Sequence, residues 1–117
     1  MSTLWKRTIN GREVLFVNSS RGTRHGFAHD TEVFIDGRNY GKHTCHYLNR
    51  TWESYTYQTV MKCCTYDLIE KERNWQEREY KERNGYKKLT AKRREEFERE
   101  FNGTPEVKLY YAILKEL

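Results

Sequence analysis

Residues 18–30 hold the densest set of side chains that could do chemistry, in the order NSSRGTRHGFAHD. The two guanidinium groups belong to Arg21 and Arg24, and the imidazoles belong to His25 and His29. Guanidinium groups, hydroxyls and glycine-exposed backbone N–H groups are donors that bind phosphate. The order matches neither a Walker motif nor a dinucleotide-binding motif. We therefore predict a loop that binds a phosphate or a nucleic-acid backbone; the alternative is a solvated connection between strands.

Basic residues are in excess in the N-terminal part of the chain. The net charge is +5, and residues 1–50 contain eight Lys or Arg against four Asp or Glu. Residues 70–100 contain eleven against nine and are nearly balanced. A positive surface favours an anionic partner. The residues that we predict to bind nucleic acid or a partner protein are Arg21, Arg24, His25, His29, Arg38, Lys42 and Arg50.

Histidines and cysteines occur together around residue 45, and both are zinc ligands. Alternation along a strand places His43 and Cys45 on one face and His46 on the other. Cys63 and Cys64 are adjacent, whereas structural zinc sites use cysteines separated by two residues. A helix could bring these cysteines to the strand, but the sequence does not establish the distance. We therefore predict neither a metal site nor a Cys–His nucleophile.

Carboxylates that could hold catalytic metal ions are dispersed along the chain. Asp30, Glu32 and Asp36 lie in or beside predicted strands, and most Glu residues alternate with Lys or Arg at helical spacing. Metal-dependent nuclease chemistry requires clustered carboxylates. We predict that the protein is not an enzyme and uses no cofactor.

Two Xaa-Gly pairs, Asn10-Gly11 and Asp36-Gly37, are flanked by β-branched and aromatic residues. Such pairs adopt the positive φ angles of type I′ turns at little steric cost, and they are typical of β-hairpins. The flanking runs are predicted to be strands at 4–9, 12–17, 31–35 and 39–47. Four strands in two hairpins predict an antiparallel sheet.

From about Trp52 the apolar residues recur with a helical period. The apolar stripe ends at Ile69, whereas helix-favouring charged residues continue. A helix without an apolar stripe projects into solvent or meets a partner, so we predict a charged helical arm over residues 70–101.

Glycines and hydroxyls mark where further helices end and begin. Asn84-Gly85 and Asn102-Gly103 predict helix ends, and Thr90 and Thr104 are predicted caps. The expected apolar faces are Tyr57, Val60, Met61, Cys64 and Leu68 in the first helix, Phe97 and Phe101 in the next, and Tyr110, Ile113, Leu114 and Leu117 in the last.

These elements predict an α+β fold in which a four-stranded antiparallel sheet precedes two to three helices. The 117 residues are expected to form one domain, with the sheet in 1–48 and the helices in 49–117. No signal peptide or membrane-spanning run is evident, and the three cysteines suit a reducing compartment. We therefore expect the protein in the cytoplasm, with no membrane partner; a homodimer is compatible with the sequence.

The run YLNRTWESYTYQTVM at 47–61, preceded by RHGFAH at 24–29, resembles a pattern in short proteins of bacteriophages and prophages. The likeness covers roughly residues 20–62. Trp52, Tyr55 and Tyr57 are expected to form a structural corner between strand and helix, because a buried Trp covers a large area at one point.

The resemblance implies a phage-encoded inhibitor of a bacterial defence system, acting in the host cytoplasm. We expect an anti-CRISPR protein that binds a nucleoprotein effector complex. Two alternatives rest on the basic residues: a small DNA- or RNA-binding accessory protein, and a sponge for a nucleotide signalling molecule.

Overall fold

A computed structural model describes residues 2–48 and 57–117. Four strands precede three helices, which confirms the predicted α+β fold. The elements are β1 (Ser2–Ile9), β2 (Arg12–Thr23), β3 (Gly26–Ile35), β4 (Arg38–Leu48), α1 (Tyr57–Asn84), α2 (Ala91–Asn102) and α3 (Pro105–Glu116).

The strands form one antiparallel sheet in the order β1-β2-β3-β4. Both predicted glycine turns are present. Asn10 and Gly11 have φ of 50° and 75°, and Asp36 and Gly37 have φ of 51° and 80°. Positive φ at both central positions is the property of a type I′ turn, which matches the twist of the strands it joins.

The prediction of a loop over residues 18–30 is wrong. β2 continues to Thr23 and β3 begins at Gly26, so that a third hairpin turns at Arg24-His25. The polar side chains in this stretch satisfy one another within the sheet. Buried Thr31 donates a hydrogen bond to Asn18 at 2.5 Å, and the Asn18 amide donates to the Thr3 carbonyl at 3.2 Å. Polar residues paired in this way are compatible with a strand.

One face of the sheet packs against the first half of α1 and against α3. The pairs Val14↔Ile35 and Phe16↔Val33 place their four side chains on this helix-facing side, and all four are almost fully buried. The predicted apolar stripe of α1 covers them. Its buried members are Val60, Met61, Cys64 and Leu68.

The second half of α1 packs against α2 to form a helical hairpin. α1 is continuous over 28 residues, which corresponds to about 42 Å. Its contact with α2 is made by Tyr80, which lies against Phe97 with ring centroids 5.5 Å apart. Phe97 in turn lies against Phe101. The charged segment beyond Ile69 thus meets another helix of the same chain.

The helix ends follow the sequence with one exception. α1 ends at Asn84 and α2 at Asn102, and the Thr90 hydroxyl accepts a hydrogen bond from the Arg93 N–H. The expectation that the Thr104 hydroxyl caps α3 is wrong. This hydroxyl instead donates to the Phe101 carbonyl at 2.8 Å, where it closes the turn between α2 and α3.

Among the described residues, no helix is both long enough and apolar enough to cross a membrane.

Candidate nucleic-acid interface

The turn between β2 and β3 carries the first group of predicted binding residues. Arg24 and His25 form the two-residue turn and are exposed. Arg21 lies on β2, and its Nε donates to Asp30 Oδ2 at 3.0 Å. The Arg21 side chain is still 55% exposed, so it is paired without being hidden.

His29 links the sheet to α1. Its Nδ1 lies 2.5 Å from the Ser20 hydroxyl, which is itself 2.6 Å from the Tyr57 hydroxyl. The His29 and Tyr57 rings are 4.7 Å apart. Partial burial lowers the pKa of His29, although the Asp30 charge opposes this shift. His29 and Tyr57 therefore join two elements, and His29 is less readily a cation than a free histidine.

Of the other predicted binding residues, Lys42 lies on the Arg21 side of the sheet, since both charges act on Asp30, whereas Arg38 is distant. Arg38 is exposed at the opposite end of the sheet from the β2–β3 turn. The ten residues of β3 separate the two, which corresponds to about 33 Å. Lys42 is exposed on β4, where its charge contributes to lowering the pKa of Asp30. The predicted set thus does not form one surface. Arg50, Trp52 and Tyr55 lie outside the described residues.

A denser basic cluster, not predicted from the sequence, lies where α1 turns into α2. We call residues 81–94 the hairpin tip. It contains seven basic residues and one acidic residue, Glu82. Its basic residues are Lys81, Arg83, Lys87, Lys88, Lys92, Arg93 and Arg94.

Three acids of the helical hairpin, Glu77, Glu98 and Glu100, form ion pairs between its two helices. Arg94 lies 3.0 Å from Glu77, and Arg83 lies 2.7 Å from Glu100. A third pair joins Arg73 to Glu98. These pairs neutralise charge along the body of the hairpin and leave an excess of positive charge at its end.

Three lysines and Arg93 account for this excess. Lys87, Lys88 and Lys92 are exposed, and within residues 2–48 and 57–117 none of them forms an ion pair. Beside them the Arg93 guanidinium lies over the Tyr86 ring, 3.8 Å from its centroid. Such stacking holds a guanidinium in a fixed place while its edge donors stay accessible.

Over residues 70–100 the charge nearly balances, so this longer segment does not predict the lysines as a basic site. A shorter window over 81–94 carries the signal, since its net charge is seven minus one, or +6. That the neighbouring acids pair across the hairpin is visible only once α2 is placed against α1.

A separate cluster joins β4 to α1. His43 and Cys45 share the helix-facing side, as strand alternation predicted, and Cys63 on α1 meets them. A ligand atom of each lies within 4.8 Å of the other two. The proximity that the sequence could not establish is therefore present. Burial and the neighbouring Cys63 raise the pKa of Cys45.

No protein-family model matches the chain, and no curated protein or solved structure matches it either. The resemblance to phage proteins thus stays a prediction.

Proposed function

We propose that this protein is a non-enzymatic nucleic-acid-binding protein that contacts the phosphate backbone with its hairpin tip. The observation that carries the proposal is a group of three exposed lysines, Lys87, Lys88 and Lys92, which form no ion pair with any residue that the structure describes. Phosphates attract such lysines because binding releases the counterions condensed on the nucleic acid. Lysines bind phosphates as point charges, so the contact made by these three is expected to depend little on nucleic-acid sequence.

The β2–β3 turn supplies a second, smaller contact. Arg24 and His25 are exposed there, and Arg21 keeps half of its side chain accessible. This turn lies near the start of α1, through the Ser20–Tyr57 hydrogen bond, whereas the hairpin tip lies at its end. Two basic ends are therefore separated by roughly the 42 Å length of α1.

The test measures affinity for single- and double-stranded DNA and RNA by fluorescence anisotropy over a range of salt concentrations. The tip variant is Lys87→Ala/Lys88→Ala/Lys92→Ala. Its matched control, Lys62→Ala/Lys108→Ala/Lys115→Ala, removes three exposed lysines elsewhere and leaves the same net charge.

We expect the tip variant to reduce the slope of log K against log salt by up to about three for duplex DNA, at about 0.9 per lost phosphate contact. Arg24→Ala should reduce it by about one. Equal losses in the tip and control variants would mean that only net charge matters, and no binding at low salt to any nucleic acid would end the proposal.

A second candidate is the inhibitor of a bacterial defence complex. A specific feature favours a protein contact: Leu4, Leu15, Val17 and Phe34 form an apolar strip on the sheet face that the helices leave uncovered. The pairs Leu4↔Val17 and Leu15↔Phe34 place the four side chains together, and Leu4 is 64% exposed. A nucleoprotein effector offers both a protein surface and phosphates, which would engage the strip and the hairpin tip respectively.

This candidate is tested by phage plating on hosts with an active CRISPR system that express the protein. We expect the parent protein to restore phage plating on these hosts, and the variant Leu4→Asp/Val17→Thr to lose this effect. Plating unchanged by the parent in every defended host removes this candidate while leaving the nucleic-acid proposal intact.

A further inference from the structure

His43, Cys45 and Cys63 meet where the edge strand β4 crosses α1. The register pairs His43 with Thr31 and Cys45 with His29, so both side chains of β4 face the helix. Cys63 lies on the first half of α1, which packs on this side. The three residues therefore come from two elements that are far apart in sequence and are brought together by the fold.

We propose that His43, Cys45 and Cys63 bind a zinc ion. Two thiolates and an imidazole are a ligand set that zinc favours, and soft sulfur ligands disfavour Mg²⁺ and Ca²⁺. With Zn–S bonds of about 2.3 Å in tetrahedral geometry, two sulfurs on one zinc ion lie roughly 3.8 Å apart. Since the ligand atoms already lie within 4.8 Å of one another, binding needs contractions of only about 1 Å.

Asp67 orients the histidine of this site. Its Oδ2 lies 2.5 Å from His43 Nδ1, and it follows Cys63 by four residues, one turn along the same face of α1. A carboxylate that holds one ring nitrogen of a histidine leaves the other as the metal ligand, an arrangement common around zinc. α1 therefore supplies both a ligand and the residue that positions another ligand.

The site is accessible from solvent. The His43 side chain is 26% exposed, and Cys45 and Cys63 are partly buried. An ion can therefore enter the folded protein, and the fourth position of the tetrahedron falls to water. Bound zinc would link β4 to α1. It would also raise the stability of the folded state, because the ligands are brought together only in that state.

Cys64 provides a matched control. It is adjacent to Cys63 but turned about 100° around the helix, and it is 2% exposed within the core. If metals reacted with any cysteine of the unfolded chain, replacing Cys64 would weaken binding as much as replacing Cys63. If the fold builds the site, replacing Cys64 leaves binding unchanged.

The experiment titrates reduced, metal-free full-length protein with Co²⁺ and then displaces it with Zn²⁺. We expect one equivalent of Co²⁺, visible d–d bands of a tetrahedral complex and a near-ultraviolet thiolate charge-transfer band. We expect loss of the charge-transfer band or of the one-to-one Co²⁺ stoichiometry in three variants: Cys45→Ser, Cys63→Ser and His43→Gln. Cys64→Ala should keep both. Asp67→Asn should still bind, but about 10–100-fold more weakly.

Circular dichroism of each metal-free variant separates lost binding from lost folding. If a cysteine variant fails to fold, His43→Gln tests the site instead, because His43 is partly exposed. Absence of a thiolate band in the folded parent protein would overturn the proposal. Loss of binding in Cys64→Ala equal to that in Cys45→Ser would do so too. A Cys45–Cys63 disulfide, found in protein whose free thiols were alkylated at cell lysis, would also overturn it, because the two cysteines would then have a redox role instead of binding zinc.

Discussion

The sheet and the helical hairpin are each stabilised by a different kind of contact. The sheet is covered by apolar side chains, with Phe16 and Val33 fully buried under α1. The hairpin has a short aromatic contact of Tyr80, Phe97 and Phe101, bordered by ion pairs. Buried apolar area stabilises strongly, and exposed ion pairs contribute little. The sheet therefore secures the fold, while the hairpin is a less stable extension that carries charge.

The largest effect is expected from the sheet core. Phe16→Ala should lower the free energy of unfolding by about 3–5 kcal/mol, because it leaves a cavity between the sheet and α1. Urea denaturation followed by tryptophan fluorescence measures it, since Trp5 packs edge-on against Phe16 with ring centroids 5.5 Å apart. Leu4→Ala, at an exposed position, is the control and should change stability by less than about 0.5 kcal/mol.

Phe97→Ala tests whether the hairpin opens separately. Phe97 is 1% exposed, and its loss should cost about 3 kcal/mol, mostly by undocking α2 from α1. In hydrogen exchange, amides of α2 and of the end of α1 should lose protection while those of the sheet keep theirs. Equal loss in the sheet would show that the two regions unfold as one unit and that the hairpin is not a less stable extension.

Acid should weaken the sheet through Asp30. Hydrogen bonds from Thr44 and Arg21 lower the pKa of Asp30 below its ordinary value of 3.8. The folded state thus favours the charged form, and this stability is present at neutral pH and is lost as the pH falls through the lowered pKa. Asp30→Asn should cost about 1–2 kcal/mol at pH 7 and flatten the acid limb of stability against pH. A parallel acid limb in variant and parent would argue against this role.

The smallest effect is expected from an ion pair of the hairpin. In a double-mutant cycle, Arg73→Ala and Glu98→Ala should show a coupling of up to about 1 kcal/mol that shrinks as salt increases. The cycle is needed because the Arg73 guanidinium also lies 4.4 Å from the centre of the Phe101 ring. A coupling above about 3 kcal/mol would place the hairpin's stability in its ion pairs instead of its aromatic contact.

Much of the fold was predictable from local chemistry. Asn10-Gly11 and Asp36-Gly37 fix two hairpins because few other residue pairs adopt their dihedral angles, and the helical period of α1 follows from its apolar stripe. The density of Gly, Ser, Asn and basic residues over 18–30 predicts a loop, but a polar side chain such as Asn18 is satisfied by Thr31 on the next strand. Such pairing depends on register, which composition does not encode.

The sites were harder to predict than the fold because they combine residues from different elements. The basic residues of the hairpin tip are dense in the sequence, but which of them keep an unpaired charge depends on the pairing of Glu77 and Glu100 across the hairpin. The zinc-ligand cluster needs the distance between Cys45 and Cys63, which are 18 residues apart with a change of element between them. Spacing rules for zinc motifs describe ligands on one local segment and do not cover this arrangement.

The strand order leaves β1 along one border of the sheet, with its outer backbone groups unpaired by any described strand. Such a border can template the growth of aggregates by adding strands from other molecules. Lys6 and Arg7 lie in the middle of β1, where two copies approaching edge to edge would bring two Arg7 side chains and two Lys6 side chains together; each Lys6 charge is partly offset by Glu13, 2.6 Å away. Charge repulsion at this border should thus keep concentrated solutions of the protein clear, and Lys6→Thr/Arg7→Thr should make them turbid.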